Sequence, residues 1–149
     1  MLIPKPAYRL RIGFNCHETA LDATVIQKLV AEGHRVESIS FHDPQAHRAT
    51  VAWIEEYDIS VSARILGRDM HEGDIAKDYD VILHDDAMQA EEYFLFGTVH
   101  VYFLTRTSNG SIETSPGITH VPSFEAFYEH FTAIYQRQYH YPSQEREQT

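Results

Sequence analysis

The sequence predicts an α/β fold: a three-layer, flavodoxin-like sandwich with a mainly parallel sheet of about five strands. Three observations carry that expectation. Short apolar runs bounded by polar residues recur along the chain, as in Val81-Ile82-Leu83 and Val99 to Leu104, which is how strands buried on both faces read. Segments with apolar residues at helical spacing alternate with those runs, the pattern of parallel strands joined by crossover helices. Four of the strands then end abruptly in polar residues, at Asn15-Cys16-His17-Glu18, His42-Asp43, His84-Asp85-Asp86 and Thr105-Arg106-Thr107. In an open parallel sheet such ends share one edge, and ligands bind there.

Taken in order, Arg9 to Phe14 alternates apolar and polar residues and reads as the first strand. Leu21, Val25, Ile26, Leu29 and Val30 follow at helical spacing, and Gly33 supplies the stop. Val36 to Phe41 is the second strand, closed by His42-Asp43-Pro44, and a helix anchored by Val51, Trp53 and Ile54 follows from Gln45 to Tyr57. The stretch from Asp58 to Asp80 is the least legible. Ile59 to Ala63 alternates like a short strand, whereas Gly67 to Asp80 is polar and turn-rich, as an excursion or flap over the strand edge would be. The Val81 strand, a short helix through Glu91 to Phe94, a break at Gly97 and the Val99 strand come next. Ile118 to Val121 is a brief strand, and Ser123 is the N-cap candidate of a final helix. That helix carries Phe124, Phe127, Tyr128, Phe131, Ile134 and Tyr135; Phe127, Phe131 and Ile134 are expected in the core, with Tyr128 and Tyr135 at its border as a self-association face. The whole of 1–149 reads as a single domain, ending in a frayed polar tail over 136–149.

Composition narrows the partners. With 22 acidic residues against 12 Lys and Arg, the formal charge is −10. That field repels nucleic-acid phosphates and anionic membranes, so neither is expected as a partner. No apolar run approaches the roughly 20 residues that cross a bilayer, and the N-terminus lacks the basic-then-apolar pattern of a signal peptide. The single cysteine, Cys16, forms no intrachain disulfide, and the expected location is the cytoplasm.

The element order and three short motifs resemble the receiver domain of bacterial response regulators. The motifs are Asp80-Val81-Ile82-Leu83-His84-Asp85, Phe103-Leu104-Thr105, and Val121-Pro122-Ser123-Phe124 before the last helix. The resemblance implies that Asp85 stands where the family accepts phosphate and Thr105 where it keeps a switch hydroxyl. Two features of the family are missing. Its Mg²⁺-holding acidic pair is met by Asn15 and Cys16, and its lysine before proline is replaced by Val121. Phosphoryl transfer needs that metal and cation to offset charge on the phosphoryl oxygens.

A second constellation is the histidine and acid set at the strand edge. Asp85, Asp86 and His17 are the candidate catalytic residues, because a close carboxylate pair splits its pKa values and supplies a general base. Asp85, Asp86, His17 and His42 are the candidate ligands of a divalent metal, since imidazole with carboxylate suits Zn²⁺, Mn²⁺ or Fe²⁺. Asn15 and Thr105 are the candidate ligand-binding residues. GxGxxG and GxxxxGK[ST] are both absent. The expected function is a receiver-like regulatory or protein-interaction module lacking the full phosphorylation machinery, with a protein partner or a second copy on the C-terminal helix and room for a small molecule. The alternative is a small metal-dependent or acid/base hydrolase or transferase with its site at the carboxyl edge.

Overall fold

The computed structural model describes residues 9–17, 20–41, 44–105 and 112–135. His42, Asp43, Glu18, Arg106, Thr107 and the 136–149 tail lie outside the described residues. The strands are β1 (Arg11–Asn15), β2 (Arg35–Phe41), β3 (Ser62–Leu66), β4 (Val81–His84), β5 (His100–Leu104) and β6 (Thr119–Val121). The helices are α1 (Ala23–Ala31), α2 (Pro44–Glu56), the single turn α3 (Glu72–Ile75) continued by a 3₁₀ turn (Ala76–Asp78), α4 (Ala87–Leu95) and α5 (residues 124–135).

All strand pairs are parallel, in the order β3-β2-β1-β4-β5-β6. The six strands stand in the doubly wound order 3-2-1-4-5-6; the five expected strands alone keep the flavodoxin-like order 2-1-3-4-5, with β3 added as the sixth at one edge. That sixth strand comes from the stretch that was hardest to read. Ile59 and Val61 lie in the connection before the strand: Asp58 turns at φ 51°, the Ile59 N–H closes on Ile54 O of α2 at 3.1 Å, and the Val61 N–H bonds to Ile59 O at 3.1 Å. Pairing with β2 starts only at Ser62, opposite Glu37.

Two cores sandwich the sheet. One side packs Val25, Ile26 and Leu29 of α1, Ile54 of α2 and the α5 aromatics against Ile12, Phe14, Leu83 and Tyr102. The other packs Ile75 and Ala76, then Ala90 and Tyr93 of α4, against Ile82, Val101 and Phe103. Strands β4 and β5 thus meet apolar atoms on both faces, which explains their unbroken apolar runs. Gly13 of β1 is fixed by packing: a Cβ there would lie 2.8–2.9 Å from Ile39 Cδ1, Ile82 Cδ1 and Tyr79 Cδ1. Helices α1 and α4 both end on a glycine at positive φ, Gly33 at 96° and Gly97 at 112°, the conformation that terminates a helix at least cost.

The last helix departs from expectation at two residues: Tyr135, expected at the border, is in the core, and Ile134, expected in the core, is not. Phe124, Phe127, Phe131 and Tyr135 are the buried stripe, and Ile134 is 37% exposed. Spacings of three, four and four carry the stripe through Tyr135 and leave Ile134 one step outside it. Tyr128 is also used within the protomer, with its hydroxyl donating to Glu32 and Lys28 Nζ 5.3 Å from its ring centroid. Among the described residues, no helix is long and apolar enough to cross a membrane.

Candidate functional site

The order of the strands reverses between β1, whose chain leads left to β2, and β4, whose chain leads right to β5. Loops diverge from such a point and open a crevice at the carboxyl edge. Asn15 and His84 are register partners there, the last residues of β1 and β4. The residues after them, Cys16-His17 and Asp85-Asp86, therefore face the same edge, as the sequence led one to expect.

Each of these groups has a definite task. Asp85 reaches back across the reversal point: its Oδ2 accepts the His17 N–H at 2.9 Å, and its own N–H donates to Asn15 O at 3.4 Å. It pins the start of the β1–α1 loop to the end of β4. Asp86 instead caps α4, accepting the Gln89 N–H at 3.0 Å, so its carboxylate serves orphan helix donors. Cys16 Sγ lies 3.5 Å from Leu83 O. Thr105 is stitched to β6, its N–H and Oγ1 both donating to Val121 O at 2.8 and 3.2 Å.

Beneath this edge lies a polar cluster that the sequence did not reveal. His84 is 2% exposed and Glu72, at the start of α3, is 3% exposed. His84 Nδ1 accepts the Asp86 N–H at 3.0 Å, which places the imidazole proton on Nε2. Nε2 then donates to Glu72 Oε1 at 2.9 Å, and Asn15 Nδ2 reaches the same oxygen at 3.3 Å. The Tyr93 ring lies 5.9 Å from that of His84. Burial first, and then the neighbouring Glu72 carboxylate, push the Tyr93 phenol well above its ordinary pKa. A buried carboxylate is tolerable only with such partners. Its sequence context, Met70-His71-Glu72-Gly73-Asp74, reads as a solvated turn. The one available hint was His84 itself, a polar residue ending a run buried on both faces and hence in need of a partner.

Two cavities flank the β1–α1 loop. One, of about 310 Å³, lies between the ends of β1 and β2 and the first turns of α2, lined by Asn15, Cys16, His17, Ser40, Gln45 and Thr50 among others. The other, of about 540 Å³, opens between α1, α2 and the start of α5, against Leu21, Trp53, Tyr57, Pro122 and Phe124. Among the described residues, the walls of the smaller cavity carry hydroxyl, amide, thiol and imidazole groups but no Lys, Arg, Asp or Glu.

Asn15, His17 and Asp85 are thus brought together, Asp86 turns to its helix, Thr105 is tied to β6, and His42 lies outside the described residues. Among the described residues no three His, Cys, Asp or Glu side chains converge to hold a metal ion. At Asn15 and Cys16, where the receiver resemblance leads one to expect an acidic pair, Asn15 bonds to Glu72 and Cys16 approaches Leu83 O. An amide and a thiol are not the carboxylate oxygens that Mg²⁺ requires, so this donor set does not fit that ion.

No protein-family model matches the chain, and no curated protein does. Among solved structures, it is similar to an NADH-dependent reductase complexed with NAD, at 9% identity and a TM-score of 0.39, covering 88% of this chain and 74% of that one. It is also similar to a short-chain dehydrogenase from Salmonella enterica serovar Typhi, at 9% identity and a TM-score of 0.34, covering 83% and 67%.

Proposed function

We propose that the chain is a receiver-like regulatory module that lacks the phosphorylation machinery and responds to a small hydrogen-bonding ligand held beside the β1–α1 loop. The supporting observation is the Asp85–His17 bond at 2.9 Å. The carboxylate best placed for phosphoryl or acid/base chemistry is engaged in holding a loop, and that loop forms one wall of the 310 Å³ cavity. A ligand entering there meets hydroxyl, amide, thiol and imidazole groups, and it competes with or reinforces the Asp85 tether. A protein partner would then read the loop and the adjoining surface.

Two experiments test this reading. Acetyl phosphate with Mg²⁺ leaves the intact mass unchanged; a phosphate adduct that disappears in Asp85→Asn overturns the non-phosphorylated reading. Cys16, the only cysteine, lines the cavity and serves as its reporter. Nucleosides, neutral sugars and amino acids are tested for slowing its alkylation by iodoacetamide, and at least one does so while raising Tm. Uniform alkylation rates across the panel count against the cavity.

One observation favours the rival reading, a small hydrolase or transferase. The His84 imidazole lies between two carboxylates, Glu72 at 2.9 Å from Nε2 and Asp85 at 3.9 Å from Nδ1. Turnover of p-nitrophenyl esters or phosphates that is lost in His84→Asn, with the fold retained, would support that alternative.

A further inference from the structure

The inner side of α5 shows an arrangement independent of the carboxyl edge. Its first half packs on carbon: Phe124 lies edge-on to Phe14 at 6.0 Å and Phe127 edge-on to Tyr102 at 4.7 Å. Its second half packs on imidazoles. Phe131 stands edge-on to His34 at 5.4 Å, and His34 is 2% exposed, its Nδ1 accepting the Leu10 N–H at 3.4 Å. Tyr135 lies 6.3 Å from His100, which is stacked on Tyr102 at 4.3 Å and 11°. His130 closes the group, edge-on to His100 at 5.9 Å, with the Tyr102 hydroxyl 2.9 Å from its Nδ1.

We propose that the C-terminal half of α5 is an acid-released latch. His34 and His100 are packed in their neutral form beneath Phe131, Tyr135 and His130, and they take up protons when residues 130–135 lift from the sheet. The groups facing them enforce this. His34 meets the Leu10 N–H, the Phe131 ring and the positive field of Arg9; His100 meets the Thr119 hydroxyl at 3.1 Å, the Tyr102 and Tyr135 rings, and His130. Burial takes water from both rings, Arg9 stands beside His34, and His130 stands edge-on to His100. Burial first, and then Arg9 for His34 and His130 for His100, lower both pKa values from 6.5 to about 4. The first half of α5 holds no histidine, so acid loosens the end of the helix before its start.

Hydrogen exchange on the full chain, corrected for the intrinsic pH dependence of amide exchange, tests the latch. Between pH 7 and pH 5 the protection of amides in 130–135 falls by roughly 20-fold for each histidine involved, whereas amides in β1 and β4 keep theirs. Carrying both His34→Asn and His100→Gln, which keep a hydrogen-bonding atom and remove the titration, abolishes most of that difference. Protection in 130–135 that is unchanged with pH, or that falls in step with β1 and β4, overturns the latch. So does an equal response in the double variant. Should that variant fail to fold, NMR titration of the wild-type imidazoles decides: His34 and His100 titrating near 6.5 in the folded protein also overturns it.

Discussion

Two regions of this molecule bury histidine, and they do so in opposite ways. At the carboxyl edge His84 is enclosed with a carboxylate, hydrogen-bonded at both ring nitrogens to Asp86 N–H and Glu72. Near the amino edge, under α5, buried His34 and half-buried His100 pack against aromatic rings, with Arg9 and His130 as their respective neighbours. In the first setting the imidazole is a structural connector whose loss strands a buried acid. In the second it is a neutral ring that must not ionise. Burial alone therefore does not define a histidine's role; the partner at each nitrogen does.

The comparison breaks most visibly at His84. Its replacement by Ala leaves Glu72 buried without its main donor and costs about 3–5 kcal/mol, read from the midpoint of urea unfolding. Replacing the pair together, as His84→Phe with Glu72→Leu, costs less than the single change, because no buried charge is left over. A double variant no more stable than His84→Ala would show that Glu72 is satisfied without the imidazole.

Acid probes the other region. The folded pKa values of His34 and His100 lie below the unfolded value of 6.5, so the unfolded chain binds protons more tightly. Their contribution is fully present above pH 6.5 and is lost as pH falls toward 4, amounting to about 3 kcal/mol or less for His34. Unfolding midpoints followed from pH 7.5 to pH 4 should decline in this window, and His34→Asn should flatten the decline. A profile that is flat from pH 7.5 to 4.5 contradicts the neutral burial of these rings.

Smaller effects sharpen the account of the edge that positions the cavities. Gly13→Ala drives a methyl group against Ile39, Ile82 and Tyr79 together and costs about 1–3 kcal/mol by overpacking. Asp86→Ala removes the α4 cap and costs about 1 kcal/mol without altering any ligand response. A response lost in Asp86→Ala would restore that residue to the site.

Much of this was legible in the sequence, for identifiable reasons. The apolar runs of β4 and β5, the stops at Gly33 and Gly97 and the shared edge of Asn15, His17 and Asp85 follow from periodicity and strand polarity, which tertiary contacts did not override. What stayed hidden depended on contacts distant in sequence. Glu72 looks like part of a solvated turn until α3 folds over His84, twelve residues on. Asp86 looks like half of a carboxylate pair until α4 begins immediately after it. Ile134 and Tyr135 differ by one helical step, which the aromatic pattern alone could not resolve. The alternation from Ile59 to Ala63 marks a strand but begins it three residues early, because the Ile59 N–H closes on α2 and pairing with β2 starts only at Ser62.

The proposed regulatory reading is tested most directly by amide chemical-shift mapping with whichever panel compound slows Cys16 alkylation. The account predicts that shifts concentrate at 15–17, 39–40, 45–50 and 85, that the His17 amide moves most, and that the compound is recovered unchanged. Shifts centred elsewhere, or conversion of the compound to product, would contradict it.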